Sequence, residues 1–177
     1  VSTVLTQVCV DPYDEAFYKP TKIIGESMTK DEAMEEDCKG NHVIETESGW
    51  KRIVATPKPL SIVEIDGIKA LMEAGQVVIA AGGGGIPVLV QDNQLKGASA
   101  VVEKDTAAGL LASELDADLL VILTGVDKVC LNYGKADEKP LDYMSVKDAE
   151  KYMAEGQFEA GTMLPKIQAA VDFIGDS

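Results

Sequence analysis

A chain of 177 residues, 46% apolar and 26% charged, is long enough to bury one substantial core or two small ones, and its make-up excludes a disordered segment. Its 30 acidic residues against 16 basic ones give a formal charge of -14, which argues against a nucleic-acid partner, because neutralising a phosphate backbone needs Lys and Arg clustered on one face. A single nucleotide remains compatible, since two or three converging cations suffice for it.

Taken in chain order, Val4 to Val10 is a β-rich run closed by Asp11-Pro12. The stretch from Asp11 to about Pro59 has a different texture, charged and punctuated by Pro20, Pro57 and Pro59. Within it, Thr29 and Glu32 form a capping box for a short acidic helix stopped at Gly40. HVIETESGWKRIVA (42–55) alternates around a Glu-Ser-Gly turn, a hairpin signal. The whole stretch reads as a small excursion from the main fold.

From Ile62 the pattern becomes that of an α/β protein. A helix is predicted over 62–75, a strand over 76–82, a glycine loop, a strand over 86–91, a polar turn at Asp92-Asn93 and a strand over 98–103. There follow a helix over 105–117, a strand over 118–126, a short strand over 128–134, a helix over 145–156 and a last helix from Thr162 to about Ile174. Strands such as VVIAA and LLVIL are apolar at consecutive positions, which means burial on both faces, as in a largely parallel sheet covered by helices. Ser145 with Asp148 caps one helix, and Asp105 and Thr162 stand where N-caps belong for two others.

Cys9, Cys38 and Cys130 are odd in number, lack a CxxC spacing and have only His42 to join them, so a structural zinc site is not expected. Free thiols that pack as small hydrophobes suit a cytoplasmic protein. No apolar run approaches the ~20 residues of a membrane span, and the first residues lack the basic start and small-residue cleavage site of a signal peptide.

Four constellations carry chemistry. Gly82 to Gly85 follow a buried strand, where the backbone must turn sharply or approach a ligand closely; no GK[ST] follows, and Pro87 stands where a dinucleotide fingerprint has its third glycine. Lys104-Asp105 lies where a strand passes straight into a helix, so the ammonium and the helix dipole can address one anion, while Asp105 either orients the lysine or caps the helix. Thr124, Gly125, Val126, Asp127 and Lys128 come immediately past an apolar strand, with Tyr133 close behind; the loop suits a base and ribose, and Tyr133 fits equally well as core filler. Finally, Gly161-Thr162-Met163-Leu164-Pro165-Lys166 opens the last helix, where Lys166 opposes the dipole unless an anion sits beside it.

The set TKIIG (21–25), AAGGGGIPV (81–88 and the residue before), EKDTAAGLLA (103–112), LTGVDKVCLNYGK (123–135) and GTMLPKIQAA (161–170), in this order and spacing, resembles the carbamate kinases of the amino acid kinase superfamily over nearly the whole chain. The resemblance implies a three-layer αβα sandwich with a mainly parallel open sheet, formed here by 1–10 and 57–177, and a small protruding α+β subdomain over 11–56. It implies reversible phosphoryl transfer between ATP and carbamate, giving ADP and carbamoyl phosphate, with Mg2+, usually in a homodimer used in the fermentation of arginine-derived compounds. Lys104 and Lys166 then match the lysines that stabilise the moving phosphoryl group, Asp105 the acid that organises them, and Lys22 a lysine that reaches over the site. Gly82, Gly83, Gly84 and Gly85 match the loop beside acceptor and phosphate, and Thr124, Val126, Asp127, Lys128, Tyr133 and Met163 the nucleotide loops. Gln157 stands where the family usually has histidine, and Ala55-Thr56 where it has Pro-Ser.

The N-terminal half of the family pattern, with its Gly-Gly-Asn loop, is not in these 177 residues, so the expectation is an incomplete chain that self-associates or is marginally stable. Two other readings stay open: another phosphotransferase of the superfamily, acting on acetylglutamate, glutamate or uridylate, and a nucleotide-binding remnant without catalysis.

Overall fold

Runs rich in Val and Ile, interrupted by helical stretches, fold into an α/β arrangement in the computed structural model, which describes residues 1–175. The first strands are β1 (Ser2–Thr3) and β2 (Gln7–Val10). Then come β3 (Lys22–Met28), α1 (Lys30–Cys38), β4 (Val43–Thr46) and β5 (Gly49–Val54). The chain continues through β6 (Pro59–Ile62), α2 (Ile65–Glu73), β7 (Val78–Ile79), β8 (Ile86–Gln91) and β9 (Gln94–Gly97). It ends with α3 (Lys104–Glu114), β10 (Val129–Leu131), β11 (Lys139–Leu141), α4 (Val146–Ala154) and α5 (Met163–Gly175).

The central sheet runs in the order β6-β2-β8-β9, with β2 parallel to β8 and antiparallel to β6. Period-two alternation along β2 turns Val8 and Val10 to one face, where they meet Ile62 of β6, Ile68 of α2, and Val102 and Ala107 at the start of α3. Each fully buried Val or Ile of this cluster contributes about 1.5–3 kcal/mol. A second cluster, Ala149, Phe158 and Ile167, fastens α4 to α5. A separate antiparallel sheet, β3-β5-β4, carries α1, whose capping box is in place: Glu32 N–H donates to Thr29 Oγ1 at 3.3 Å, and Thr29 N–H to Glu32 Oε2 at 2.8 Å. No helix among the described residues is long and apolar enough to cross a membrane.

Several elements differ from expectation. Of the run 4–10 only 7–10 forms a strand, β2, which bonds to β6 and β8; β1 lies before the run, at 2–3, and bonds to β7. Strand β6 takes Ile62, the first residue assigned to a helix, and α2 starts at Ile65, where Glu64 spends its carboxylate on Gln7 N–H at 2.7 Å instead of capping. The strand after Asp92-Asn93 is β9, at 94–97 and not 98–103: the two turn residues have φ of 49° and 59°, the left-handed pair of a tight hairpin, so the chain folds straight back on β8. Residues 98–103 are held by one bridge, Ala55 to Ala100, by Val101 N–H to Ala55 C=O at 2.9 Å and by Ala98 N–H to Pro87 C=O at 2.9 Å.

The run 118–126 forms no strand at all. Its side chains stand in the open, Leu119 at 73%, Val121 at 65% and Leu123 at 89% exposure, because among the described residues no neighbouring strand offers it a ladder. Among the described residues the parallel strand pairings are β1–β7 and β2–β8, in separate sheets, with one further parallel bridge at Ala55–Ala100.

Candidate active site

The two helices that bound the site are brought together by two small residues. At the crossing of α3 and α5, a Cβ on Gly109 would lie 3.0 Å from Ala169 O, so only glycine lets the backbones approach this closely. Asp105 precedes Gly109 by four residues and Lys166 precedes Ala169 by three, so each lies one turn N-terminal on the facing side of its helix. The result is Lys166 Nζ donating to Asp105 Oδ2 at 2.9 Å, in a pair whose side chains are 16% and 11% exposed. Lys166 thus finds its counter-charge in a carboxylate of the protein. Asp105 is not the N-cap of α3; that position is Glu103, and Asp105 lies inside the first turn.

Lys104, the first residue of α3, is exposed, and among the described residues its ammonium has no hydrogen bond or ion pair. A free cation placed on the positive end of a helix dipole is an arrangement that an anion relieves. Glu103 turns away from the helix and accepts from Lys22 Nζ at 2.6 Å, across from β3.

Lys22, Lys104, Asp105 and Lys166 line one cleft of about 440 Å³, within the range of small-molecule sites. A second part of its wall is built by Thr124, Val126, Lys128, Cys130 and Tyr133, and the lining also includes Phe158 and Met163. Tyr133 is 66% exposed, so it faces the cleft and solvent and is not core filler. Burial pushes the Cys130 thiol above its usual range, with Glu138 adding to the shift and Lys128 opposing it, so the sulfur stays protonated. Lys128 is paired with Asp142.

Five of the residues proposed from the sequence lie elsewhere. Asp127 does not line the cleft, and neither does the Gly82 to Gly85 loop. That loop packs behind the start of α3: a Cβ on Gly84, at φ +104°, would fall 2.0 Å from Val102 O, and one on Gly85 2.6 Å from Val8 Cγ2. These two glycines answer to the packing of their own chain, while Gly82 and Gly83 have open space around them. In the other direction, the cleft includes Glu103, Cys130, Gln157, Phe158 and Glu159, which the sequence did not single out as site residues. Gln157 accepts from Asn132 N–H at 3.0 Å and so ties the loop after β10 to the segment before α5. A charged residue preceding Lys-Asp was the one available signal for Glu103.

The profile of the amino acid kinase family matches residues 24–177, and the chain belongs to that family. Within it the chain is similar to carbamate kinases: it is 50% identical over 175 residues to a carbamate kinase-like protein of Escherichia coli K12, and 48% identical over 176 residues to carbamate kinase 2 of Enterococcus faecalis. Each alignment covers 98% of this chain and 56% of the relative, so the chain spans about half the length of the curated relatives it matches. The carbamate kinase of Giardia lamblia bound to AMP-PNP superposes with a TM-score of 0.91 at 39% identity, over 98% of this chain and 56% of that one. The fold is therefore the αβα fold of those enzymes, over the part that this chain spans.

Proposed function

We propose that the cleft binds ATP or ADP and serves reversible phosphoryl transfer between ATP and carbamate, giving ADP and carbamoyl phosphate. The observation that carries this reading is the convergence of unpaired Lys104 and Asp105-anchored Lys166 on a single cleft. In the forward direction the bond between the γ-phosphorus and the ADP oxygen breaks as a bond to a carbamate oxygen forms. Such a transfer leaves no covalent step to the protein; it requires cations held around the moving charge. Lys104 and the amides that begin α3 neutralise the phosphoryl oxygens, and Asp105 fixes Lys166 so that its position costs no reorganisation during the reaction. Val126, Phe158 and Met163 give the base an apolar bed, with Tyr133 stacked against it. The Gly82 to Gly85 loop, Asp127 and Lys128 belong to the reading as surroundings of acceptor and ribose, on the strength of the resemblance.

The carboxylates Glu103 and Asp105 are both engaged by lysines, and among the described residues no group of three or more His, Cys, Asp or Glu is placed to hold a metal. Mg2+ is accordingly a companion of the nucleotide phosphates, entering with the substrate, as is usual for this ion. The same reading treats residues 11–56 as the protruding subdomain, and the protein as a cytoplasmic homodimer in the metabolism of arginine-derived compounds. Three free cysteines suit that compartment.

A coupled assay tests the reading, with the chain given ADP and carbamoyl phosphate in one arm and ATP with acetylglutamate, glutamate or uridylate in the others. ATP formation in the first arm alone is expected; activity with a different acceptor moves the chain to another branch of the family. The exposed 119–123 run favours a second reading, a nucleotide-binding remnant, for which ADP would bind in calorimetry without turnover in any arm.

A further inference from the structure

Two carboxylates flank Lys104 in the chain, and each holds a lysine from a distant segment: Glu103 holds Lys22, 81 residues away, and Asp105 holds Lys166, 61 residues away. The pairs differ in exposure, 35% and 27% for Lys22 and Glu103 against 16% and 11% for Lys166 and Asp105. They also differ in what they join. The inner pair spans two helices already locked at Gly109 and Ala169, so it has nowhere to go. Lys22 instead begins β3, in a sheet whose ladders run only among β3, β5 and β4. Among the described residues, Lys22–Glu103 is the one ion pair that joins this sheet and α1 to the rest of the chain.

Glu103 occupies the N-cap position of α3 but makes no side-chain cap bond, so its carboxylate serves Lys22 and nothing in the helix. A pair a third exposed is weak enough to exchange partners. An anion attracted by Lys104 and the start of α3 arrives beside this pair, because all three side chains line the same cleft. A polyphosphate carries more charge than one carboxylate and competes well for the ammonium.

We propose that Glu103 is a positioning residue that parks Lys22 at the cleft and yields it to the phosphates of an incoming nucleoside triphosphate. This rests on the phosphate-binding reading given above and adds to it a change of partner at Lys22. The exchange makes the outer lysine responsive to the charge of the ligand, while the inner lysine stays fixed.

Calorimetry of ATP and of adenosine binding to the chain, Glu103→Gln, Lys22→Met and the double variant tests it. Glu103→Gln removes both the competing partner and its repulsion of phosphate, whereas in the Lys22→Met background it removes the repulsion alone. The expected result is that Glu103→Gln tightens ATP roughly two- to tenfold more when Lys22 is present than when it is replaced, with adenosine unaffected throughout. Glu103→Asp, which keeps the charge, should bind ATP close to the parent chain. Weaker ATP binding in Glu103→Gln, an equal gain in both backgrounds, or an equal effect on adenosine overturns the proposal while leaving the phosphate reading intact. No ATP binding by the parent chain overturns the phosphate reading, and the proposal with it.

Discussion

The two walls of the cleft are built on opposite terms. The wall made by α3 and α5 rests on Gly109 against Ala169, on the Val102 and Ala107 core and on a nearly buried ion pair, so its lysine positions are set by packing. The wall made by 124–133 follows a run whose apolar side chains are more than half exposed at Leu119, Val121 and Leu123, and among the described residues its strand β10 has only β11 as a partner. Charge placement is thus rigid on one side of the cleft, and base recognition is assigned to the side with fewer constraints. Substitutions on the first wall should change chemistry or folding, and those on the second should change affinity or association.

The largest effect is expected at Lys104, which has no structural partner to lose. Lys104→Ala should lower the rate of ATP formation from ADP and carbamoyl phosphate by roughly 10² to 10⁴ while its thermal melt stays that of the parent. Near-normal turnover would remove this lysine from the mechanism. Next comes Gly84→Ala, which forces a Cβ to 2.0 Å from Val102 O at φ +104°; a loss of at least ~3 kcal/mol in denaturant unfolding is expected. A small loss would mean that the junction behind Lys104 is softer than its packing implies.

On the other wall, Tyr133→Ala should weaken ADP binding by about tenfold in calorimetry, in line with aromatic stacking on a base, without moving the melt. An unchanged affinity would place the base elsewhere. The smallest change in folding free energy, within about 0.5 kcal/mol, is expected for Leu123→Lys, at a side chain 89% exposed. Its effect lies in association: sedimentation should find less self-association than in the parent chain, as charge on an open apolar edge blocks pairing. Equal association in both would locate the sticky surface away from 119–123.

The first wall was largely legible in the sequence. Lysines at two helix starts and glycines at a strand end are local signals, and the Thr29–Glu32 and Ser145–Asp148 caps came out as read, the latter with Asp148 N–H on Ser145 Oγ at 3.1 Å. The sequence leaves Asp105 between capping and holding a lysine, and the choice is made by the α3–α5 crossing, a tertiary fact. Glu103 was passed over for the same reason, since its partner arrives from β3, 81 residues away. The failed strand at 118–126 has a different cause. An apolar run states a preference for burial, whereas a strand also needs a neighbour with free N–H and C=O groups, and no pattern within the run reports whether one is there. At 94–97 the turn was recognised, but QLKG is too polar and short to read as the returning strand.

The proposed convergence of Lys104 and Lys166 on one phosphate is what everything else depends on. A crystal structure of the chain with a non-hydrolysable ATP analogue measures it directly: both Nζ atoms should lie within about 3 Å of oxygens around the terminal phosphate. A nucleotide whose terminal phosphate meets only one of them, or neither, would contradict the account.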